Sequence, residues 1–208
     1  MEAGNSFELP YWEKNQLVIG IDEAGRGPLA GPVVVAGVVF PPNFHYEGIN
    51  DSKKISDKKR RQLFDLIKKE ALSYVICVVD RKKIDSLNIY KATQEAMQGC
   101  VDKIGVEISG VLTDAMPLPN CKLPVDAIVK GDMKSISIAA ASILAKVTRD
   151  TIMEYYDEIY PGYGFAGHKG YGTKKHIEAL NSIGVCPIHR VSFEPVKSMV
   201  APTLFDLD

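Results

Sequence analysis

The sequence predicts an α/β protein with a mixed β-sheet flanked by helices and a C-terminal helical extension. Short apolar segments rich in β-branched residues recur along the chain, and such segments are typical of buried strands. Amphipathic segments with helical periodicity follow several of them, and the C-terminal part is helical. We expect an N-terminal arm at residues 1–16 that is extended on the body, a core at 17–158, and an extension at 159–208 packed on that core.

The composition indicates an ordinary globular chain of 208 residues, 46% hydrophobic and 25% charged. Its formal net charge of -1 creates no global positive field, so any binding of nucleic acid must depend on local basic patches. No apolar run approaches the roughly 20 residues of a membrane span, and the N-terminus does not look like a secretory signal. The 4 cysteines are far apart, which favours reduced thiols in the cytoplasm over a structural zinc site.

The first two predicted strands flank a loop rich in glycine and proline, within residues 17–40, LVIGIDEAGRGPLAGPVVVAGVVF. We expect an antiparallel hairpin whose first strand ends on Asp22 and Glu23. The glycines are spaced Gly-x-Gly-x-x-x-Gly before a strand, unlike a dinucleotide-binding fingerprint, and the Gly-Lys-Ser/Thr of a Walker loop is missing. On this stretch alone, an ordinary hairpin with a solvated acidic turn explains the pattern equally well.

The later elements follow from capping residues and apolar periodicity. Ser56 and Ser135 are good N-caps, and Pro161 closes the long helix that Ser135 begins. Further strands are predicted at 74–79, 108–113 and 125–129. Further helices are predicted at 56–72, at a segment ending near 104, and at 174–183.

Acidic residues stand at or just after the ends of three predicted strands. Asp22 and Glu23 end the first strand, Asp114 ends another, and Asp132 follows a third. Mg²⁺ takes oxygen ligands, and two such ions roughly 3.5–4 Å apart can hold the attacking water and the leaving oxygen of a phosphodiester. Each acid alone is more simply a cap or turn residue, and spacing does not show that the strand ends converge. Their common placement favours a site for a hard cation.

Three lysines are candidates for contacts with substrate phosphates. Lys53 follows a loop in Asp-Ser-Lys, whereas Lys146 could equally form a helical ion pair with Asp150. Lys169 lies with Tyr171 on the glycine-rich loop before the last helix. Aromatic and basic residues on such a loop suit stacking on a sugar or base beside phosphate contacts.

The chain resembles ribonuclease HII, the type 2 bacterial ribonuclease H, over nearly its whole length. The matching segments are IDEAGRGPLAGPVV, DSKK, LNIYKATQEAM, VKGD, SIAAASILAKVTRD, YPGYGF, HKGYGTKKH and PIHRVSFEPV. The resemblance implies a ribonuclease H-like fold. It assigns the four metal-binding, catalytic carboxylates of the family to Asp22, Glu23, Asp114 and Asp132.

The resemblance also assigns substrate contacts and reveals one departure. The Gly-Arg-Gly element of the family falls on Gly25, Arg26 and Gly27, and its substrate-stacking tyrosine falls on Tyr171. Ala115 stands where many members have glycine, which changes the turn after Asp114 but leaves the carboxylate.

The function that the resemblance implies is hydrolysis of the RNA strand of RNA–DNA hybrids with Mg²⁺ or Mn²⁺, two ions per site. We also expect incision on the 5′ side of a single ribonucleotide embedded in duplex DNA, leaving 3′-hydroxyl and 5′-phosphate ends. A replication sliding clamp is a candidate partner of the C-terminal tail, and the enzyme is expected to be a cytoplasmic monomer. The alternatives are a non-catalytic hybrid-binding module and a DNA exonuclease or recombinase of the same fold. The four acids argue against the first, and the loop motifs argue against the second.

Overall fold

The structure, a computed structural model, describes residues 4–46, 48–49 and 55–200. These residues form a five-stranded mixed sheet with the strand order β3-β2-β1-β4-β5. The strands are β1 (Val18–Ala24), β2 (Val33–Val39), β3 (Ser73–Val79), β4 (Gly110–Asp114) and β5 (Val125–Ile128). The helices are α1 (Leu9–Trp12), α2 (Asp57–Glu70), α3 (Arg81–Leu87), α4 (Ile89–Lys103), α5 (Ile136–Ile159), α6 (Phe165–His168), α7 (Lys174–Ile183) and α8 (Val196–Val200).

The pairing of β1 with its two neighbours decides where the acidic residues lie. β1 pairs with β2 in antiparallel register, with Asp22 opposite Ala36, so the predicted hairpin is confirmed. On its other side β1 pairs with β4 in parallel, with Ile21 opposite Thr113. The carboxyl ends of parallel neighbours meet at the same edge of a sheet. The acidic end of β1 therefore lies beside the acidic end of β4.

Helices cover both faces of the sheet, and successive side chains of β2 pack alternately against the helices on one face and on the other. Val34, Ala36 and Val38 pack in one core with α2 and α5, whereas Val33 and Val35 pack in a second core with α3 and α4. The central helix α5 begins at its N-cap Ser135, whose hydroxyl accepts the N–H of Ile138, and is buried along most of its length. The predicted fold class is confirmed by this arrangement.

The C-terminal part packs against the glycine-rich loop between β1 and β2. Leu29 and Ala30 of this loop share an apolar cluster with Phe165 and Leu180. Three backbone hydrogen bonds join the same regions: Leu29 N–H to Gly170 O at 2.8 Å, Gly31 N–H to Ile188 O at 2.9 Å, and Arg190 N–H to Leu29 O at 2.8 Å. The C-terminal extension thus holds the glycine-rich loop in place. The predicted boundaries of the arm, the core and the extension stay a prediction.

The N-terminal segment differs from its predicted extended form. Residues 9–12 form the short helix α1, and Trp12 is buried against the α5 side of the sheet. Glu8 is fully buried, where its Oε1 accepts the hydroxyl of Ser135 at 2.5 Å and the N–H of Ser137 at 3.0 Å. A buried carboxylate that caps α5 gives this segment a fixed place, which the prediction of an extended arm missed.

Ala115 adopts the left-handed backbone conformation, with φ 55°. Its N–H donates to the carbonyls of Thr113 and Ile128, both at 3.1 Å, so the turn after Asp114 is tied to both strands. Glycine adopts this conformation without steric cost. The family's glycine at this position is therefore explained, and alanine keeps the turn at some cost in strain.

Candidate active site

Three strand ends bring the predicted carboxylates together. Asp114 Oδ1 accepts the N–H of Gly131 at 2.8 Å, which ties the end of β4 to the single-turn 3₁₀ helix Gly131–Met133 and hence to Asp132. A Cβ on Gly131 would lie 2.7 Å from Ile138 Cδ1, so a larger residue here would require the Ile138 side chain of α5 to move. The fold thus supplies the convergence of the four acids that their spacing could not show, whereas their role in binding metal stays a prediction.

Asp22 is the centre of this group electrostatically as well as spatially. It is 5% exposed, and burial raises the pKa of its carboxyl well above the usual range. The charges of Glu23, Asp114 and Asp132 raise the pKa further, whereas the Glu23 N–H, which donates to Asp22 Oδ1 at 2.7 Å, lowers it. Asp22 is thus close enough to each of the other three carboxylates to be repelled by it.

The acidic edge opens into a cavity of about 350 Å³. Four parts of the fold form its walls: the end of β1 with the start of the glycine-rich loop, the end of β4, the middle of α5, and the loop before α7. Its lining residues are Asp22, Glu23, Ala24, Gly25, Arg26, Gly27, Asp114, Ser142, Lys146, Arg149 and Tyr171. Asp132 is not in this lining and acts on the group through its charge on Asp22.

The Gly-Arg-Gly element forms one wall of the cavity and depends on glycine. Gly25 has φ 97°, and a Cβ there would collide with the Arg149 side chain and lie 2.8 Å from Pro32 O. Arg26 is exposed, and its Nη1 lies 3.4 Å from Glu23 Oε1. A Cβ on Gly27 would lie 3.8 Å from Tyr171 Cε1, so the predicted glycine element and the predicted tyrosine lie next to each other in the lining of the cavity.

Helix α5 contributes a polar stripe that sequence reasoning identified only in part. Ser142, Lys146 and Arg149 are spaced i, i+4 and i+7, which places them on one face of the helix, and all three line the cavity. Lys146 was a predicted contact, and its Nζ also pairs with Asp150 Oδ1 at 2.6 Å. Ser142 and Arg149 were missed as site residues, although their position on the same helical face as Lys146 was the signal.

Of the other two predicted lysines, Lys169 is not among the residues that line the cavity. Lys169 Nζ pairs with Glu154 Oε1 at 2.8 Å, and the same oxygen lies 2.9 Å from Arg61 Nη2. Lys53 lies outside the described residues. Their contacts with phosphate stay predictions.

The four carboxylates fit a divalent cation in their chemistry rather than in their arrangement. Among the residues that the structure describes, no group of three or more His, Cys, Asp or Glu side chains is arranged closely enough to hold a metal ion. The chemistry nevertheless fits a hard cation, because the converging side chains are all carboxylates. Burial raises the pKa of Asp22, repulsion by the other three carboxylates raises it further, and a divalent cation would offset this negative charge.

Three histidines behind Tyr171 hold its loop through directed hydrogen bonds. His176 Nδ1 lies 3.0 Å from Tyr171 O and, because a carbonyl only accepts, carries the proton of that bond. Its Nε2 then accepts from His189 Nε2 at 3.0 Å, and His189 Nδ1 accepts the Cys186 N–H at 2.9 Å. His168 Nδ1 accepts the Gly170 N–H at 3.1 Å. This network is complete only when His176 and His189 are neutral.

Acid is expected to destabilise the protein through this network. Burial, followed by the nearby His176, lowers the pKa of His189 from its ordinary 6.5 to about 4, and burial also lowers the pKa of His176. Between these pH values the unfolded chain binds the proton and the folded chain does not. The free energy of unfolding should therefore fall as the pH drops from about 6.5 to about 4, by about 3 kcal/mol from His189 alone.

Urea unfolding at several pH values measures this effect. His189→Gln should flatten the dependence over that range relative to the unchanged protein, whereas His45→Gln, at an exposed histidine, should leave it as it was. An equal pH dependence in the His189 variant and the unchanged protein would contradict the assignment.

None of the described helices is both long and apolar enough to span a membrane.

The fold of this chain is similar to that of the ribonuclease H2 of Pyrococcus horikoshii OT3, with a TM-score of 0.77 and 26% identity over 88% of this chain and 96% of the other. It is also similar to the ribonuclease HII solved in a complex with PCNA from Archaeoglobus fulgidus, with a TM-score of 0.71 and 27% identity over 91% of this chain and 99% of the other. The fold and its acidic cavity therefore define an endoribonuclease of the ribonuclease H type.

The sequence comparisons name the particular family. The family model described as Ribonuclease HII matches residues 19–196. Ribonuclease HII of Listeria monocytogenes serotype 4b is 56% identical over 198 residues, which cover 95% of this chain and 76% of the relative. The chain belongs to the ribonuclease HII family, and the resemblance predicted from its motifs is confirmed.

Proposed function

We propose that this enzyme hydrolyses the RNA strand of RNA–DNA hybrids and incises on the 5′ side of single ribonucleotides in duplex DNA. The observation that supports the proposal is the composition of one cavity. It joins the carboxylates of Asp22, Glu23 and Asp114 to the Gly-Arg-Gly element and to the ring of Tyr171. Groups suited to phosphodiester hydrolysis and groups suited to recognising a sugar thus line the same cavity.

In this proposal the carboxylates hold the cofactor and the other walls hold the substrate. Asp22, Glu23, Asp114 and Asp132 would hold two divalent ions, Mg²⁺ or Mn²⁺. When bound, such ions supply charge neutralisation and an activated water for hydrolysis to 3′-hydroxyl and 5′-phosphate ends. Lys146, at the opposite wall, would contact a phosphate, which positions the strand without reading its sequence.

Recognition of the RNA-to-DNA junction is assigned to two neighbouring parts of the cavity, the Gly-Arg-Gly element and Tyr171. The 2′-hydroxyl both donates and accepts a hydrogen bond, so exposed backbone of Gly25–Gly27 can recognise it without a side chain intervening. The ring of Tyr171 would pack on the following sugar, where a second 2′-hydroxyl would crowd it and a deoxyribose would not. Tyr171 is 47% exposed, so its face is accessible to a substrate.

The setting of the enzyme is part of the same proposal. A monomeric, cytoplasmic enzyme would act on such junctions during DNA replication and ribonucleotide excision repair. Because a relative of the same fold was solved in a complex with PCNA, a sliding clamp is our candidate partner.

The test of the proposed function is a comparison of three labelled duplexes incubated with the enzyme and Mg²⁺ or Mn²⁺. One carries a single central ribonucleotide, one is an RNA–DNA hybrid, and one is all DNA. We expect the first to be cut once, on the 5′ side of the ribonucleotide, the second to be cut at many positions, and the third to stay intact. Efficient cutting of the hybrid with an intact single-ribonucleotide strand would contradict junction recognition, and cutting of the all-DNA duplex would contradict the substrate class.

Tyr171→Ala is expected to reduce cleavage at a single ribonucleotide at least tenfold while weakening duplex binding by less. The ring is proposed to align the sugar beside the scissile bond, and misplacement by about 1 Å can cost on the order of a hundredfold in rate. Single-turnover cleavage and binding to the uncut duplex measure the two effects separately. Tyr90→Ala, at an exposed tyrosine outside the cavity, is the matched control. A loss of affinity as large as the loss of rate would assign Tyr171 to binding alone.

A further inference from the structure

Two buried arginines lie behind the glycine-rich loop, and both donate to its backbone carbonyls. Arg149 is 1% exposed and Arg190 is fully buried. Arg149 Nε donates to Pro32 O at 2.9 Å, and its Nη2 donates to Ala30 O at 3.2 Å. Taking a guanidinium out of water is costly unless its N–H groups are satisfied. Two such groups beneath one loop indicate that the conformation of this loop matters.

Arg190 binds the part of the loop that lines the cavity. Its Nη2 donates to Gly25 O at 2.6 Å, its Nη1 to Arg26 O at 2.9 Å, and its Nε to Gly31 O at 3.0 Å. The planar guanidinium holds its donors in a fixed fork, so three acceptors at these distances fix the orientation of three carbonyls at once.

The orientation of these carbonyls determines the orientation of the neighbouring N–H groups. In a planar trans peptide the C=O and the following N–H point in opposite directions. Since Gly25 O and Arg26 O point at Arg190, the N–H groups of Arg26 and Gly27 point away from it. Gly25, Arg26 and Gly27 line the cavity, whereas the buried Arg190 is not among its lining residues.

We propose that Arg190 is a positioning residue, which turns the Arg26 and Gly27 N–H groups toward the cavity as donors to an oxygen of the bound ribonucleotide. This inference rests on the proposed function and adds to it the group that organises ribonucleotide recognition. Arg190 itself does not touch the substrate. Lysine at this position would keep the positive charge but lack the planar arrangement of guanidinium N–H donors. At most some of the three carbonyls would then stay fixed.

The test compares Arg190→Lys with Arg60→Lys. Arg60 is a matched control because it is also buried, at 8% exposure, and its Nη2 donates to the Ile55 carbonyl at 2.9 Å, outside the cavity. Steady-state kinetics on the single-ribonucleotide duplex and thermal unfolding are measured for both variants. We expect Arg190→Lys to lower kcat at least tenfold with KM changed less than threefold, and Arg60→Lys to leave kcat unchanged.

The outcomes separate this inference from the proposed function. If the unchanged enzyme cuts the duplex and Arg190→Lys retains its kcat, or loses melting temperature alone, the positioning role is overturned while the function stands. If the unchanged enzyme cuts neither RNA-containing duplex, the proposed function fails and the inference with it.

A second measurement does not depend on the folding of an Arg190 variant. In Asp22→Asn, which should bind without cutting, amide NMR signals of Arg26 and Gly27 are followed during titration with the single-ribonucleotide duplex and with the all-DNA duplex. Shifts larger with the ribonucleotide are expected. Equal shifts with both duplexes, or none, would overturn the inference.

Discussion

Asp22→Asn is expected to lose at least a thousandfold in cleavage rate while raising the stability of the metal-free protein. If Asp22 holds metal as proposed, its loss removes several kcal/mol of charge stabilisation by bound ions, and each 1.36 kcal/mol is worth about tenfold in rate. The free energy of unfolding of the metal-free variant should rise, because burial and three neighbouring carboxylates disfavour the ionised form of Asp22. Asparagine keeps the shape and removes the charge.

Activity assays and thermal unfolding, each with and without Mg²⁺ or Mn²⁺, measure both effects. A gain of about 1 kcal/mol would raise the melting temperature of a chain of this size by about 2–4 °C. Divalent ions should raise the melting temperature of the unchanged protein by binding its folded state, and should raise that of the variant less. Asp126→Asn, at an exposed aspartate of β5, is the control for both. Near-normal cleavage by the Asp22 variant would remove it from the metal site.

The parts of the site that follow from local sequence could be predicted. Runs of β-branched apolar residues predicted β1 and β4, and the acidic residues at the ends of these strands could be read from the same runs. Ser56 and Ser135 are N-caps whose hydroxyls accept an N–H three residues on, so the starts of α2 and α5 were also predictable. These features depend on residues within one turn or one strand of each other.

The features that the sequence did not reveal depend on long-range partners. Nothing near Lys169 in the sequence indicates that Glu154 of α5 will pair with it. Arg190 binds the carbonyl of Gly25, 165 residues earlier in the chain, and backbone acceptors leave no side-chain pattern to detect. The parallel pairing of β1 with β4, which brings Asp22 beside Asp114, likewise depends on topology. The family resemblance supplied this convergence before the structure did.

Gly20→Ala is expected to destabilise the fold by at least about 3 kcal/mol, since overpacking of a well-packed core typically costs 1–3 kcal/mol and backbone contacts raise that cost. Gly20 and Asp22 lie on the face of β1 that α5 covers. A Cβ on Gly20 would lie under 3.0 Å from Ser137 and Ile138, including 2.5 Å from the Ile138 nitrogen. Because backbone atoms are among the obstacles, no change of rotamer relieves the collision, and α5 must move off the sheet.

Gly99→Ala provides the matched control for this substitution. A Cβ on Gly99, in α4, would meet nothing within 4 Å, so alanine there should stabilise the helix by roughly 0.5–1 kcal/mol. Thermal and urea unfolding of the two variants should therefore shift in opposite directions. If Gly20→Ala folds with a melting temperature near that of the unchanged protein, α5 can retreat without loss and its close approach to β1 is not required. In the expected case any residual folded protein should also cleave poorly, because moving α5 carries Lys146 away from Asp22 across the cavity that both residues line.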